Sequence, residues 1–183
     1  MKILIADDES IIRMGLKKML QEMGHKVVTA VNGREAIGMA QTQQPDLAIL
    51  DIKMPYTDGL QAAQTISRTH PLPILLLTAF SEQDLIEKAT DLPIHGYLVK
   101  PVKPGELSAA IAVARKRFEE SQALAQRTIE LETTLVERKL INRAKGKLME
   151  RGMSEAEAYQ ALQAYARQQR QTIVQVARAL LKK

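Results

Sequence analysis

Along the first 118 residues, short apolar runs alternate with segments whose apolar positions recur every three or four residues. The runs are Ile3 to Ala6, Val27 to Val31, Leu47 to Leu50, Ile74 to Leu77 and Tyr97 to Val99. They are continuous rather than alternating, which predicts strands of a parallel sheet covered on both faces. The helical period picks out Ile12, Leu16, Met19, Leu20 and Met23, then Ala36, Ile37 and Ala40, then Leu60, Ala63 and Ile66. It returns at Leu85, Ile86 and Ala89, and again at Leu107, Ile111 and Ala114. Ser10 is expected to cap the first helix, Gly24 to end it, Asn32-Gly33 to turn the chain and Pro104 to precede the last helix. Five strands alternating with five helices predict an α/β doubly wound sheet. No G-x-G-x-x-G follows the first run, which disfavours a dinucleotide-binding version of it.

From Glu119 onward no strand pattern appears. The stretch to about Glu150 has no proline and a single glycine, Gly146, and predicts one long helix. Leu124, Thr128, Leu131 and Leu135 follow four- and three-residue steps, a short heptad seam that fails at Arg138. Gly152 is expected to stop the helix. Ser154 with Glu157 makes an S-x-x-E capping box for a second helix, expected to pack through Ala158, Leu162 and Tyr165. Thr172 with Gln175 makes a T-x-x-Q box for a third, expected to pack through Ile173, Ala177, Leu180 and Leu181. The expected boundaries are 1–118 for the α/β unit and 119–183 for an all-α unit, with 119–142 a coiled-coil stalk below three helices.

Charge divides at nearly the same place. Residues 1–107 hold 11 basic and 13 acidic side chains, and residues 108–183 hold 15 and 8. The second half is therefore at +7 and the first at −2, which suggests a polyanionic partner for the second. The chain has no cysteine, which excludes thiol chemistry, and its three histidines have no ligand spacing, which disfavours a histidine zinc site. No apolar stretch approaches the length of a membrane span, and the start turns acidic too soon for a secretory signal. A cytoplasmic location and no membrane partner are expected.

Candidate chemistry lies at the ends of the strands. Asp7-Asp8 ends the first run, Asp51 the third, Thr78 the fourth and Lys100 the fifth. In an open α/β sheet ligands bind beyond the carboxyl ends of the strands, so these residues should converge. Three neighbouring carboxylates repel unless a cation lies among them, and an all-oxygen set suits Mg²⁺. An ammonium and a hydroxyl beside them can hold a phosphoryl group, and a carboxylate there can act as its nucleophile.

Asp7-Asp8-Glu9, the run from Asp51 through Met54-Pro55 to Asp58-Gly59, Thr78-Ala79, and Tyr97-Leu98-Val99-Lys100-Pro101 closely resemble the receiver domain of bacterial response regulators. The resemblance implies a flavodoxin-like fold, with Asp51 as the phosphoacceptor of a sensor histidine kinase. It implies Mg²⁺ held by Asp8, Asp51 and the backbone carbonyl of Lys53, with Asp7 assisting through water. Thr78 and Tyr97 would be the switch pair, Thr78 and Lys100 the groups that contact the phosphoryl, and Lys100-Pro101 a cis peptide. One departure is visible: Leu92-Pro93-Ile94-His95-Gly96 stands where the family usually has Gly-Ala before the fifth strand, and the proline stiffens that loop.

In the second half, Lys139, Arg143, Lys147 and Arg151 are spaced by four and predict a slanting basic stripe on a helix, flanked by Arg138 and Lys145. Leu140, Ala144 and Leu148 predict an apolar stripe beside it. Glycine inside a helix costs about 1 kcal/mol relative to alanine, so Gly146 invites contact with a partner as its reason. The run Arg138 to Ser154, with its Ala144-Lys145-Gly146-Lys147-Leu148-Met149 core, Glu157-Ala158-Tyr159 and the closing Val176-Ala177 resemble the ANTAR domain of transcription antitermination regulators. This implies a three-helix RNA-binding unit, paired through a coiled coil, that recognises tandem stem-loops. Lys139, Arg143, Lys145, Gly146, Lys147 and Arg151 are the expected RNA contacts, and a homodimer is expected on activation.

Two other readings carry less. A DNA-binding helix-turn-helix would use the last two helices, but Tyr165 to Thr172 reads as a connection longer than a tight turn. A phosphatase with an aspartyl nucleophile lacks the expected D-x-D after the first strand. The chain is therefore not expected to be an enzyme, beyond slow loss of its own phosphoryl.

Overall fold

The computed structural model describes residues 1–79 and 93–182. The expected helix through Leu85, Ile86 and Ala89, and Leu92 of the departure before the fifth strand, lie outside the described residues. Contacts divide the chain into two compact units, Met1–Gln122 and Ala123–Lys183.

In the first unit, strands β1 (Lys2–Ala6), β2 (Lys26–Ala30), β3 (Leu47–Asp51), β4 (Ile74–Thr78) and β5 (Gly96–Val99) form one sheet in the order β2-β1-β3-β4-β5. Every pairing is parallel. Helices α1 (Ser10–Glu22), α2 (Gly33–Gln43) and α3 (Gly59–Thr69) follow the first three strands, and α4 (Pro104–Met149) follows the fifth. Successive strand residues face opposite ways, and the buried residues sort by that two-residue period. Leu4, Ala6, Ala48, Leu50, Ile74 and Leu76 pack with Ala36, Ala40, Ala62, Ala63 and Ile66 of α2 and α3. Ile3, Ile5, Leu47, Ile49, Leu75 and Leu77 pack with Leu16 and Leu20 of α1 and with Leu107, Ile111 and Ala114 of α4. Both faces are covered, which is why the strands read as unbroken apolar runs.

Local ends differ from expectation in a few places. Glu9 occupies the N-cap of α1 and makes no side-chain cap bond; Ser10 is the first helical residue. The aspartate behind it supplies the bond instead, with Asp7 Oδ1 accepting from the Glu9 amide at 2.8 Å. Asn32 is the N-cap of α2 and accepts from the Glu35 amide. Asp58 caps α3 in the same way. Gly59 then begins α3 against the end of β3, where a Cβ would collide with the backbone carbonyl of Asp51.

His95 is buried just before β5. Its Nδ1 accepts the Ile74 amide at 3.1 Å, and its ring meets Phe118 edge-on with centroids 5.2 Å apart. Burial, and then the charge of Arg117, pull its pKa below the ordinary 6.5.

The second unit is helical. After α4 come α5 (Glu155–Gln169) and α6 (Ile173–Lys182). Ser154 and Glu157 form the reciprocal capping box that opens α5. Thr172 and Gln175 exchange the equivalent bonds at α6, at 2.8 and 3.2 Å. The core is Ala144, Leu162, Ala166, Val176 and Ala177, joined by Ile141, Leu148, Ile173, Leu180 and Leu181. Tyr165 is exposed, and Ala166 takes the buried position expected of it. Ile141 rather than Leu140 joins the apolar side of α4. The Arg- and Gln-rich stretch after Tyr165 is helical to Gln169, because these residues are good helix formers. The connection to α6 is thus three residues, Arg170 to Thr172, and not the long one the composition suggested.

Two outcomes test this packing. Gly59→Ala should lower stability by about 2 kcal/mol through overpacking, read as a shift of the urea midpoint, and a variant as stable as the parent would remove the close approach from the account. His95 is held neutral more firmly in the folded chain than in the unfolded one. Its contribution is complete above about pH 6.5 and is lost as pH falls through the lower folded value. His95→Gln should therefore flatten the fall of the urea midpoint below that pH, whereas an unchanged pH profile would show that another group causes it.

Candidate functional site

The sheet delivers the acidic site. Parallel strands end on one edge, and β1 and β3 are direct neighbours, so the residues after Ala6 and at the end of β3 meet there. Asp7 and Asp51 are buried and Asp8 is exposed. One carboxylate oxygen of each lies within 4.8 Å of the others. Lys100 leaves the end of β5 and reaches between them, its Nζ 2.8 Å from Asp7 Oδ2 and 2.8 Å from Asp51 Oδ1. The Lys100 amide donates to the Thr78 carbonyl at 2.9 Å, which fixes the two residues side by side. Lys100-Pro101 is cis.

Burial alone pushes the Lys100 ammonium toward its neutral form. Its hydrogen bonds to Asp51 and Asp7 and their negative charges outweigh that, and its pKa stands above the ordinary lysine value. One ammonium against three carboxylates leaves the edge at −2. Asp7 Oδ2 has no aligned hydrogen bond in addition to that ion pair. A hard cation with oxygen ligands fits both the residual charge and this donor set.

The other expected residues fall as follows. Thr78 is buried at the end of β4, and its Oγ1 donates to the Ala79 carbonyl at 3.0 Å. Tyr97 projects from β5 and is exposed. Lys53 is exposed in the loop after β3. Two groups without an expected role also touch the site. Glu9 lies 3.7 Å from Lys100 Nζ, and Arg13 Nη1 donates to the Asp7 carbonyl at 2.6 Å. Glu9 was visible as part of the acidic run; Arg13 carried no signal, because its contact is made to a backbone carbonyl six residues back, before the helix begins.

In the second unit the basic residues separate into two kinds. Lys139, Arg143 and Arg151 are exposed. Lys145 Nζ instead binds Glu155 Oε1 at 2.6 Å, tying the end of α4 to the first turn of α5. The hydrogen bond and charge of Lys145 lower the Glu155 pKa. Lys147 Nζ donates to the Leu180 carbonyl at 3.3 Å, near the C-terminus of α6, where a cation is favoured. Helix α4 ends at Met149, so Arg151 stands in the following turn rather than on the helical stripe. A Cβ on Gly146 would meet nothing within 4 Å, so no packing among the described residues demands that glycine.

Comparison with known proteins gives two family matches. Residues 3–112 match the response regulator receiver domain, and residues 130–181 match the ANTAR domain. The transcriptional regulatory protein PdtaR of Mycobacterium tuberculosis is 43% identical over 182 residues, covering 98% of this chain and 89% of that protein. The probable transcriptional regulator ycf27 of Galdieria sulphuraria is 40% identical over 120 residues, 64% of this chain and 46% of that protein. The crystal structure of a response regulator receiver domain protein from Clostridium thermocellum superposes with a TM-score of 0.60 at 32% identity. It covers 64% of this chain and 96% of its own.

The ion-pair geometry carries a stability prediction. Lys100→Met leaves two buried carboxylates facing each other and, in chelator, should cost about 3 kcal/mol. Adding Asp7→Asn to that variant should recover most of the loss. Urea titrations of the four proteins measure the cycle, and a double variant no better than Lys100→Met would show that repulsion is not the cause.

Proposed function

The chain belongs to the response regulators that join a receiver domain to an ANTAR domain, and we propose that phosphorylation of Asp51 controls how its helical unit binds structured RNA. Its output is RNA-binding transcription antitermination, and both domains are regulatory rather than catalytic. A DNA-binding helix-turn-helix is not favoured, since residues 130–181 match the ANTAR family. No helix among the described residues is long and apolar enough to cross a membrane.

The observation that carries the proposal is the ammonium of Lys100 at 2.8 Å from both Asp7 and Asp51. It orients the Asp51 carboxylate at the sheet edge, where an oxygen can act as a nucleophile. An Asp51 oxygen attacks the phosphorus of a phosphohistidine on the sensor histidine kinase. The P–N bond breaks, its electron pair stays on the imidazole, and an acyl phosphate forms on Asp51. The carboxylates of Asp8 and Asp51 and the carbonyl of Lys53 would hold Mg²⁺, with Asp7 acting through water. The ion supplies charge neutralisation for the phosphoryl oxygens. Lys100 gives up its bond to Asp51 and turns to the phosphoryl. The Thr78 hydroxyl leaves the Ala79 carbonyl to donate to the same group, and Tyr97 follows into the space behind it. Water then attacks the phosphorus slowly, the acyl P–O bond breaks, and inorganic phosphate leaves Asp51 as the carboxylate.

The second step is association. Pairing two copies along Leu124, Thr128, Leu131 and Leu135 sets two basic units at a fixed spacing. Two weak contacts to tandem stem-loops then combine by raised effective concentration, with no new contact required. Lys139, Arg143 and Arg151 meet RNA phosphates, Gly146 admits close approach, and Lys145 and Lys147 contribute positive charge beside them.

Acetyl phosphate should raise the affinity of the parent for a tandem-hairpin RNA by at least about tenfold. It should raise the dimer fraction in sedimentation as well. Asp51→Asn should abolish both responses, and a parent that does not respond would sink the coupling. Arg143→Ala should weaken binding to all hairpins alike and lower the salt slope by about one.

A further inference from the structure

The turn between α5 and α6 has no part in the account above, yet its composition is unusual. After Glu157 the chain contains no acidic residue, while Arg167, Arg170, Arg178, Lys182 and Lys183 are basic. Six glutamines lie in the same stretch. Glu157 itself is engaged with Ser154 in the capping box. An anion approaching this end of the unit meets no competing carboxylate from α6 or from the body of α5.

A groove of about 350 Å³ lies at the turn, with Ala166 and Ile173 among its apolar lining and Gln163, Arg167, Arg170 and Gln171 among its polar lining. The volume admits a nucleobase. Neither guanidinium has a hydrogen-bond or ion-pair partner among the described residues. This contrasts with Lys145 and Lys147, whose ammonium groups are already spent within the unit. Tyr159, Gln163, Arg167 and Arg170 follow steps of four, four and three, so on a helix they fall within about 80° of one another. Tyr159 is exposed at the start of that stripe.

The backbone adds a second argument. Arg170 is the C-cap of α5 with φ +51°, the left-handed region, and its amide closes onto Ala166 and Arg167. A glycine or asparagine is the ordinary occupant of such a cap, and any other residue is strained there. Here the position carries a long cationic side chain that stabilises nothing else in the unit.

We infer that the α5–α6 turn is a second RNA-reading surface, a slot for one unstacked loop base flanked by Arg167 and Arg170. The base lies on the apolar floor, its edge meets the Gln163 and Gln171 amides, and the two guanidinium groups take the phosphates on either side. Tyr159 offers a stacking plane to the neighbouring base. This chemistry suits single-stranded loops, whose bases are free to leave the stack, and not a duplex. The inference rests on the RNA reading of this unit and assigns loop recognition to residues outside the basic stripe of α4.

The full chain, activated with acetyl phosphate, is titrated against a labelled pool of hairpin RNAs with a randomised loop. A duplex DNA of equal length is the comparison. Arg170→Gly removes the guanidinium and relieves the backbone, so it should melt no lower than the parent. Its RNA affinity should nonetheless fall by roughly five- to tenfold, with a shallower salt slope. Gln163→Ala should change which loops are selected from the pool. If both variants match the parent in affinity, salt slope and selected loops, the slot is overturned while the RNA reading stands. If the parent binds the hairpins no better than the duplex, the RNA reading itself fails and takes the slot with it.

Discussion

A single ammonium between two buried carboxylates is the interaction around which the first unit is arranged. Asp7 and Asp51 end adjacent strands, and their side chains would repel at this distance in a low-dielectric setting. Lys100 reaches both at 2.8 Å and offsets their charge within the buried edge. It can do so only because β5 closes the order β2-β1-β3-β4-β5 and ends beside β4. The sheet order and the charge balance of the site are thus one constraint. A cation that relieves the remaining −2 will also compete with Lys100 for these carboxylates, and that competition makes such an edge responsive rather than merely stable.

Much of this was readable from the residues. A buried parallel strand must be apolar on both faces, so Leu47 to Leu50 and Ile74 to Leu77 announce themselves, and the polar residue that ends each run marks the ligand edge. The capping boxes at Ser154 and Thr172 were equally explicit, because each needs two specific side chains three apart. What was not legible depends on competition between near-equal local options. Ser10 has the residue type of a cap, yet Glu9 takes the position, with its amide held by Asp7. The stretch after Tyr165 looked like a loop by polarity, yet arginine and glutamine favour helix. The fate of Lys145 and Lys147 lay beyond any spacing argument, because Glu155 and the Leu180 carbonyl are brought to them by the tertiary fold.

Helix α4 shows a related division of labour within one element. Leu107, Ile111 and Ala114 are buried against the sheet, and Ile141, Ala144 and Leu148 serve the helical core. Between them Leu124, Leu131 and Leu135 are exposed. A helical stretch with no packed face draws little stability from propensity alone. Under the proposed function, a four-position seam is too short for tight, permanent pairing, and association through it would be easily biased by small changes elsewhere. That is the energetic regime in which a few kcal/mol from a phosphoryl group can move a population.

The separation between lysine and arginine in the second unit follows the same economy. An ammonium is a compact point charge that suits a single carboxylate or carbonyl, and Lys145 and Lys147 are used in that way to fasten helix ends. A guanidinium is planar and weakly hydrated, and presents several donors to a phosphate or a base edge. Arg143, Arg151, Arg167, Arg170 and Arg178 are among the side chains that face solvent, and of the lysines Lys139 does so as well. The charge that makes this unit basic is therefore not one undivided patch. Part of it holds three helices together, and the part with the better geometry for nucleic acid stays outside. Removing a structural lysine should then act on the fold first and on affinity second, whereas removing one of these arginines should act on affinity alone.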